Sequence, residues 1–259
     1  MHFYTKDGKP AHFQPTKKGA KNPTRPTTIR DAKALKLYPS VTEILKVVAN
    51  PGLEQWKLRR VAEAAMANIA MAAEESSDYV NRIIDTAFDD TDKAASLGER
   101  IHENISCLLK ELPVKHPDCL AESEAATHKL VELGVVPLDS EFVTINPYQG
   151  YGGTVDLRYE YTRHSFRGIG DFKSTKTYPG EPVVPRQGQC AQIAAYIAAL
   201  NDGLIPDNWD GMNIYVSTTE PGRVDVISYD REKLMSEFSF FQHANAIWRH
   251  LNDYDPRAQ

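Results

Sequence analysis

The 259-residue chain predicts an α/β fold, a mixed central sheet flanked by helices. Three observations carry this: helical apolar spacing dominates the first half, runs of period-two alternation follow residue 136, and an Ala-rich helical segment separates two of those runs. With 41% hydrophobic and 25% charged residues the chain can build one full core. The expected organisation is a basic flexible arm over 1–36 and a single domain over 37–259, mainly helical over 37–135 and sheet-forming over 136–259.

The arm holds nine Lys or Arg against two acids, leaving 21 against 33 in the remainder of a chain whose net charge is −5. Pro10, Pro15, Pro23 and Pro26, with the pair Lys17-Lys18, fit an extended segment that lies along a phosphate backbone or orders on binding it. A solvated tail fits the same composition equally well. Helices follow near 40–48, 53–75, 77–88, 96–112 and 119–133. Lys57, Arg59 and Arg60 after Trp56 form a second basic cluster, a pattern that ordinary helix surfaces share. Ser96 and Glu99 have capping-box spacing ahead of the stripe Ile101, Ile105, Leu108 and Leu112. His102 sits beside that stripe, either as a packed core histidine or as a metal ligand, and Gly98 bares the helix one turn earlier.

The strand-like run Glu141–Ile145 leads into two more, 153–161 and 166–174, joined by Thr162-Arg163-His164-Ser165. A hairpin centred between Arg163 and His164 sets Asp156 opposite Asp171 and Lys173 opposite Thr154, so period-two alternation gathers two carboxylates and an ammonium on one face. Two such carboxylates repel unless a cation lies between them, and hard Mg²⁺ suits their oxygens. Such an ion polarises a phosphoryl oxygen and acidifies water while a lysine offsets developing charge, which is the chemistry of phosphodiester cleavage. An isolated Asp-x-Lys is more commonly a structural ion pair, so its company decides. Downstream, Ile193, Ile197 and Leu200 fall at helical spacing with Gln192 and Tyr196 stacked four apart and Gln189 one turn earlier. Alone, that segment also fits an amphipathic helix. Strands over 212–217 and 223–228, joined at Pro221-Gly222, and a closing helix over 231–251 complete the order.

Taken together, Gly98-xxx-His102, Gly153-Thr154-Val155-Asp156, Asp171-Phe172-Lys173 and Gln192-xxx-Tyr196 resemble the nuclease core of the PD-(D/E)XK superfamily, in its RecB-like exonuclease branch. The branch includes nuclease domains of bacterial recombination helicases, CRISPR adaptation nucleases, the mitochondrial genome maintenance exonuclease and phage exonucleases. The opening Arg30-Asp31-Ala32 through Leu45 is similar to the start of phage members. The resemblance implies a restriction-endonuclease-like core, with His102, Asp156, Asp171 and the Phe172 carbonyl as ligands of one or two Mg²⁺ or Mn²⁺ ions and Lys173 as the catalytic lysine. Asp171 stands where several relatives have Glu, and either supplies a hard oxygen. Glu141 falls where many relatives place an acid before the hairpin and carries less weight. Gln192, Tyr196, Gln189 and Ser174, with Lys17 and Lys18 of the arm, make up the DNA-binding set.

The expected activity is therefore metal-dependent hydrolysis of DNA from a free single- or double-stranded end, in recombination, repair or phage DNA processing. The helical half would wall a channel for the strand end, and a recombination protein is a further expected partner. Three alternatives stay open: a structure- or site-directed endonuclease of the same fold, a non-catalytic DNA-binding recombination partner, and a metal-dependent hydrolase of another substrate. Cys107, Cys119 and Cys190 lack the paired spacing of an iron–sulfur cluster or a disulfide framework. Without a signal-like or membrane-length apolar run, the chain is expected to be soluble and intracellular, in a bacterial or phage-infected cytoplasm, with no membrane partner.

Overall fold

Residues 1–36 carry regular structure instead of the expected flexible arm. In the computed structural model, which describes residues 1–257 except 18, 72, 73 and 164, β1 (Phe3–Tyr4) pairs with β4 (Tyr38–Pro39), and β2 (Phe13–Pro15) pairs with β3 (Thr24–Pro26). Helix α1 (Ile29–Leu35) begins at a capping box in which Thr28 and Asp31 satisfy each other's backbone N–H. Phe3 is fully buried, edge-on to Trp248 at 6.5 Å, and Arg25 grips Asp31 bidentately at 2.6 and 2.8 Å. Aromatic anchoring to the far end of the chain thus orders a segment whose local composition reads as extended.

Where a single domain was expected, the chain divides into two compact units, Met1–Val47 with Ile101–Gln259, and Val48–Arg100. In the larger unit, α2 (Val41–Leu45) is capped by Ser40, whose hydroxyl accepts the Glu43 N–H at 2.9 Å. The smaller contains α3 (Pro51–Ala67), capped by Asn50 with Pro51 at its first position. It also contains α4 (Ser76–Leu109) as far as Arg100, the last turns of that helix belonging to the larger unit. Two helices were expected in place of α4. The run between them, Asp89 to Ala95, has neither Gly nor Pro, and a Lys93–Asp89 pair at 2.6 Å supports the turn. Ser96 therefore caps nothing and accepts a bond from Arg100 at 3.1 Å.

Helix α5 (Leu120–Glu132) leads into the sheet: β5 (Val135–Asn146), β6 (Tyr151–Tyr161), β7 (Arg167–Thr175), helix α6 (Gln189–Leu200), β8 (Trp209–Ser217), β9 (Val224–Tyr229) and α7 (Arg231–Asn252). Strand order follows chain order, parallel between β7 and β8 and antiparallel elsewhere, a mixed α/β architecture. The parallel step needs a crossover, which α6 supplies. That helix is buried along nearly its whole length, against β5, β7, β8 and α7. The register expected for the β6–β7 hairpin is the one observed, from Glu160 opposite Arg167 to Leu157 opposite Gly170. Its connection includes His164, which lies outside the described residues. Among the described residues no helix is long and apolar enough to cross a membrane.

Candidate metal centre

The β6–β7 ladder ends at Leu157 and Gly170, one pair before the two aspartates. Beyond that point β6 continues paired with β5 to Tyr151, and β7 continues paired with β8 to Thr175, so the strands part in a fork. Asp156 and Asp171 stand on its two lips. The Phe172 N–H donates across the fork to Asp156 Oδ2 at 2.9 Å, so a side chain satisfies a main-chain donor here.

Three side chains converge on the Asp156 lip. The ligand atoms of His102, Glu141 and Asp156 lie within 4.8 Å of one another, with His102 Nδ1 3.5 Å from Asp156 Oδ2. His102 comes from the last turns of α4, its ring edge-on to Phe172 at 6.1 Å. Glu141 was expected to count for little, yet it belongs to this group. Ser140 faces Leu157 and Phe142 faces Val155, so Glu141 falls opposite Asp156, with its backbone at φ 51° in the left-handed region. Neighbouring protein atoms desolvate its carboxylate and the Asp156 charge repels it, with Lys110 only partly offsetting this. Together they push Glu141 up to about 7, although the residue as a whole is exposed.

On the other lip, Asp171 is 1% exposed. Lys173 Nζ donates to Oδ1 at 2.8 Å and lies 2.7 Å from Oδ2, which also accepts from Asn213 Nδ2 at 2.7 Å. Asn213 is held in turn by the Tyr229 hydroxyl at 2.8 Å. Burial raises Asp171 above the usual carboxylate range, and the Asp156 charge adds to this against the pull of Lys173. For Lys173 the balance reverses: burial would lower it, but the carboxylates of Asp171 and Asp156 outweigh burial and hold it as an ammonium. The two partners move the same way because burial dominates one and charge the other. The bidentate contact supports an ionised pair.

Asp171, expected as a metal ligand, accepts from Lys173 and Asn213. The close ligand group is His102, Glu141 and Asp156. Phe172, expected to offer its carbonyl, donates its N–H to Asp156. Tyr196, expected to touch DNA, is buried at 3% exposure and receives the Gln192 Nε2 donor at 3.3 Å. A Cβ at Gly153 would come within 2.5 Å of its ring, so the glycine ahead of Asp156 makes room for the tyrosine. Gln192 and Ser174 are half-buried; Gln189 accepts bonds from the Tyr215 hydroxyl and the Arg186 N–H, both at 2.7 Å. Lys17 is exposed between β2 and β3, and Lys18 lies outside the described residues. All three cysteines are buried and none is in a disulfide. Sequence reasoning missed Asn213 and Tyr229. The one signal for Asn213 was an amide inside the strongly apolar run of β8.

Two carboxylates and an imidazole this close together, one carboxylate pushed toward neutrality by its neighbours, could hold a metal ion. No family model matches the chain, and no curated protein matches it either.

Proposed function

We propose that this protein is a divalent-metal-dependent deoxyribonuclease that hydrolyses phosphodiester bonds from a free DNA end. The observation that carries the reading is the fork: His102, Glu141 and Asp156 on one lip face an Asp171–Lys173 pair on the other. His102, Glu141 and Asp156 would hold Mg²⁺ or Mn²⁺, with Asp171 adding negative charge from the facing lip. Such an ion supplies Lewis acidity at a phosphoryl oxygen and a more acidic water.

The side chains divide the remaining work. Lys173, held as an ammonium by the carboxylates around it, would orient the water through Nζ and offset charge developing on the phosphate. Asn213 and Tyr229 hold the Asp171 carboxylate, and through it Lys173, in one rotamer. Preference for DNA and for a free end are the narrower parts of the reading and rest on the resemblance of the four motifs.

End-labelled linear DNA, single- and double-stranded, incubated beside a covalently closed circle with Mg²⁺, Mn²⁺ or EDTA tests this. The expected result is metal-dependent loss of linear DNA only, abolished by Asp156→Ala and by Lys173→Ala. Cutting of the circle would replace the exonuclease with an endonuclease, and an inert, well-folded wild type would overturn the enzyme.

A further inference from the structure

The loop from Lys176 to Gly188, which starts three residues after Lys173 and ends at α6, is held by side chains at many points yet turns three bare groups outward. Arg223 donates from Nη1 to the Tyr178 carbonyl at 2.9 Å and from Nη2 to the Glu181 carbonyl at 2.6 Å. Buried Thr177 is locked to Ser217 at 2.6 Å and to Thr219 through its N–H and carbonyl at 2.9 and 2.7 Å, and the Arg186 N–H is fixed on Gln189. On this frame the Tyr178 side chain stands 57% exposed. Lys176 and Arg186 are exposed too, with no ion pair among the described residues. Arg186 lies close enough to Tyr215, the β8 partner of Lys173, to act on its charge state.

An exposed aromatic side chain on a backbone fixed by hydrogen bonds, in one loop with an exposed lysine two residues before it and an exposed arginine eight after it, matches an unpaired nucleotide, whose base stacks while its phosphates meet the cations. Paired bases in a duplex present no free face to such a ring. We infer that this loop is a stacking platform for single-stranded nucleic acid, with one base on Tyr178 and adjacent phosphates on Lys176 and Arg186, delivering the strand to Lys173. The inference rests on the nuclease reading for its direction, but its binding chemistry stands apart from cleavage.

Fluorescence anisotropy with a labelled oligothymidylate and a duplex of equal length, in EDTA, tests it. Tyr178→Ala should weaken oligothymidylate binding about 5- to 100-fold and duplex binding much less, while Tyr178→Phe keeps wild-type affinity. The double change Lys176→Ala with Arg186→Ala should lower the slope of log affinity against log salt by about 1.4. Unchanged oligothymidylate affinity in Tyr178→Ala, equal losses on both probes, or no wild-type binding would overturn the platform. Hydrolysis of a thymidine p-nitrophenyl phosphodiester with Mn²⁺, which has no strand to stack, separates the two ideas. Inert wild type that still binds as expected removes the nuclease and leaves the platform; active wild type whose oligothymidylate affinity is unmoved by Tyr178→Ala does the reverse.

Discussion

The two units of the molecule solve the problem of burial differently. In the larger one the sheet and its helices bury Leu157, Ile169, Ile214 and Trp248 almost completely. In the smaller one α3 buries none of its residues, and Leu58, Met66 and Ile69 are 72%, 86% and 87% exposed. Its helices are joined by Trp56 against Phe88 at 6.1 Å, the Tyr79 hydroxyl on the Asn68 carbonyl at 3.0 Å, and Arg60 on the Ala87 carbonyl. Two helices alone cannot enclose a core, so stability concentrates where strands and helices stack in layers. The candidate centre sits on the side of that division where position can be held closely.

Truncation breaks the comparison most sharply. Ile214→Ala should cost about 2–5 kcal/mol in urea unfolding, because it opens a cavity beneath the fork, whereas Leu58→Ala should stay within about 0.5 kcal/mol. Next in size, Asp156→Ala and Lys173→Ala should each lower cleavage about 100-fold or more in a gel assay while leaving the fold intact by circular dichroism. Asn213→Ala removes a bond to a buried carboxylate and should cost about 1–3 kcal/mol, with Tyr229→Phe at the low end of that range.

The smallest expected effect is on pH dependence. Glu141 is raised from its ordinary 4.5 to about 7, and Asp171 moves the same way, so the folded state binds these protons more tightly than the unfolded chain. The contribution of Glu141 is full below about 4.5 and that of Asp171 below about 3.8, and both are lost as pH rises to about 7. The EDTA-treated protein should therefore melt at progressively lower temperature across that window, and Glu141→Gln should flatten the slope. Asp31, Asp255 and Glu74, lowered by their arginine partners, contribute in the opposite sense, losing stability only in more acidic solution. Mn²⁺ affinity measured by calorimetry should weaken as pH falls below 7, since ligands must lose their protons to bind.

Much of the larger unit was legible because its signals are local. Alternation on both sides of a short polar connection fixes which residues of β6 and β7 face each other, and the helical stripe of α6 is plain in its alanines and isoleucines. The order of the first residues was not legible, since Phe3 gains its place from Trp248 at the other end of the chain. Ser96 and Glu99 have the spacing of a helix start but lie inside α4, because the run Asp89 to Ala95 ahead of them has neither Gly nor Pro to end a helix. Asn213 reaches Asp171 through the parallel β7–β8 pairing, whose register no local pattern encodes, and Tyr229 joins it from antiparallel β9. Glu141 depends on a single left-handed residue in an otherwise extended strand, which periodicity cannot reveal.

The fit between Gly153 and Tyr196 has a consequence for how the sheet and α6 are indexed. The ring occupies the volume a side chain would fill, and a second fastening, the Tyr151 hydroxyl on the Ala195 carbonyl at 2.9 Å, lies two residues away on the same strand. A helix pinned at two such points cannot ratchet by a turn of about 5.4 Å without driving an aromatic ring into main chain. Because Gly153 stands three residues before Asp156, the same ring sets Gln192 and Gln189 at a defined height above the fork. The glycine and the tyrosine thus act as a gauge, tying the polar edge of a helix to one carboxylate on a strand.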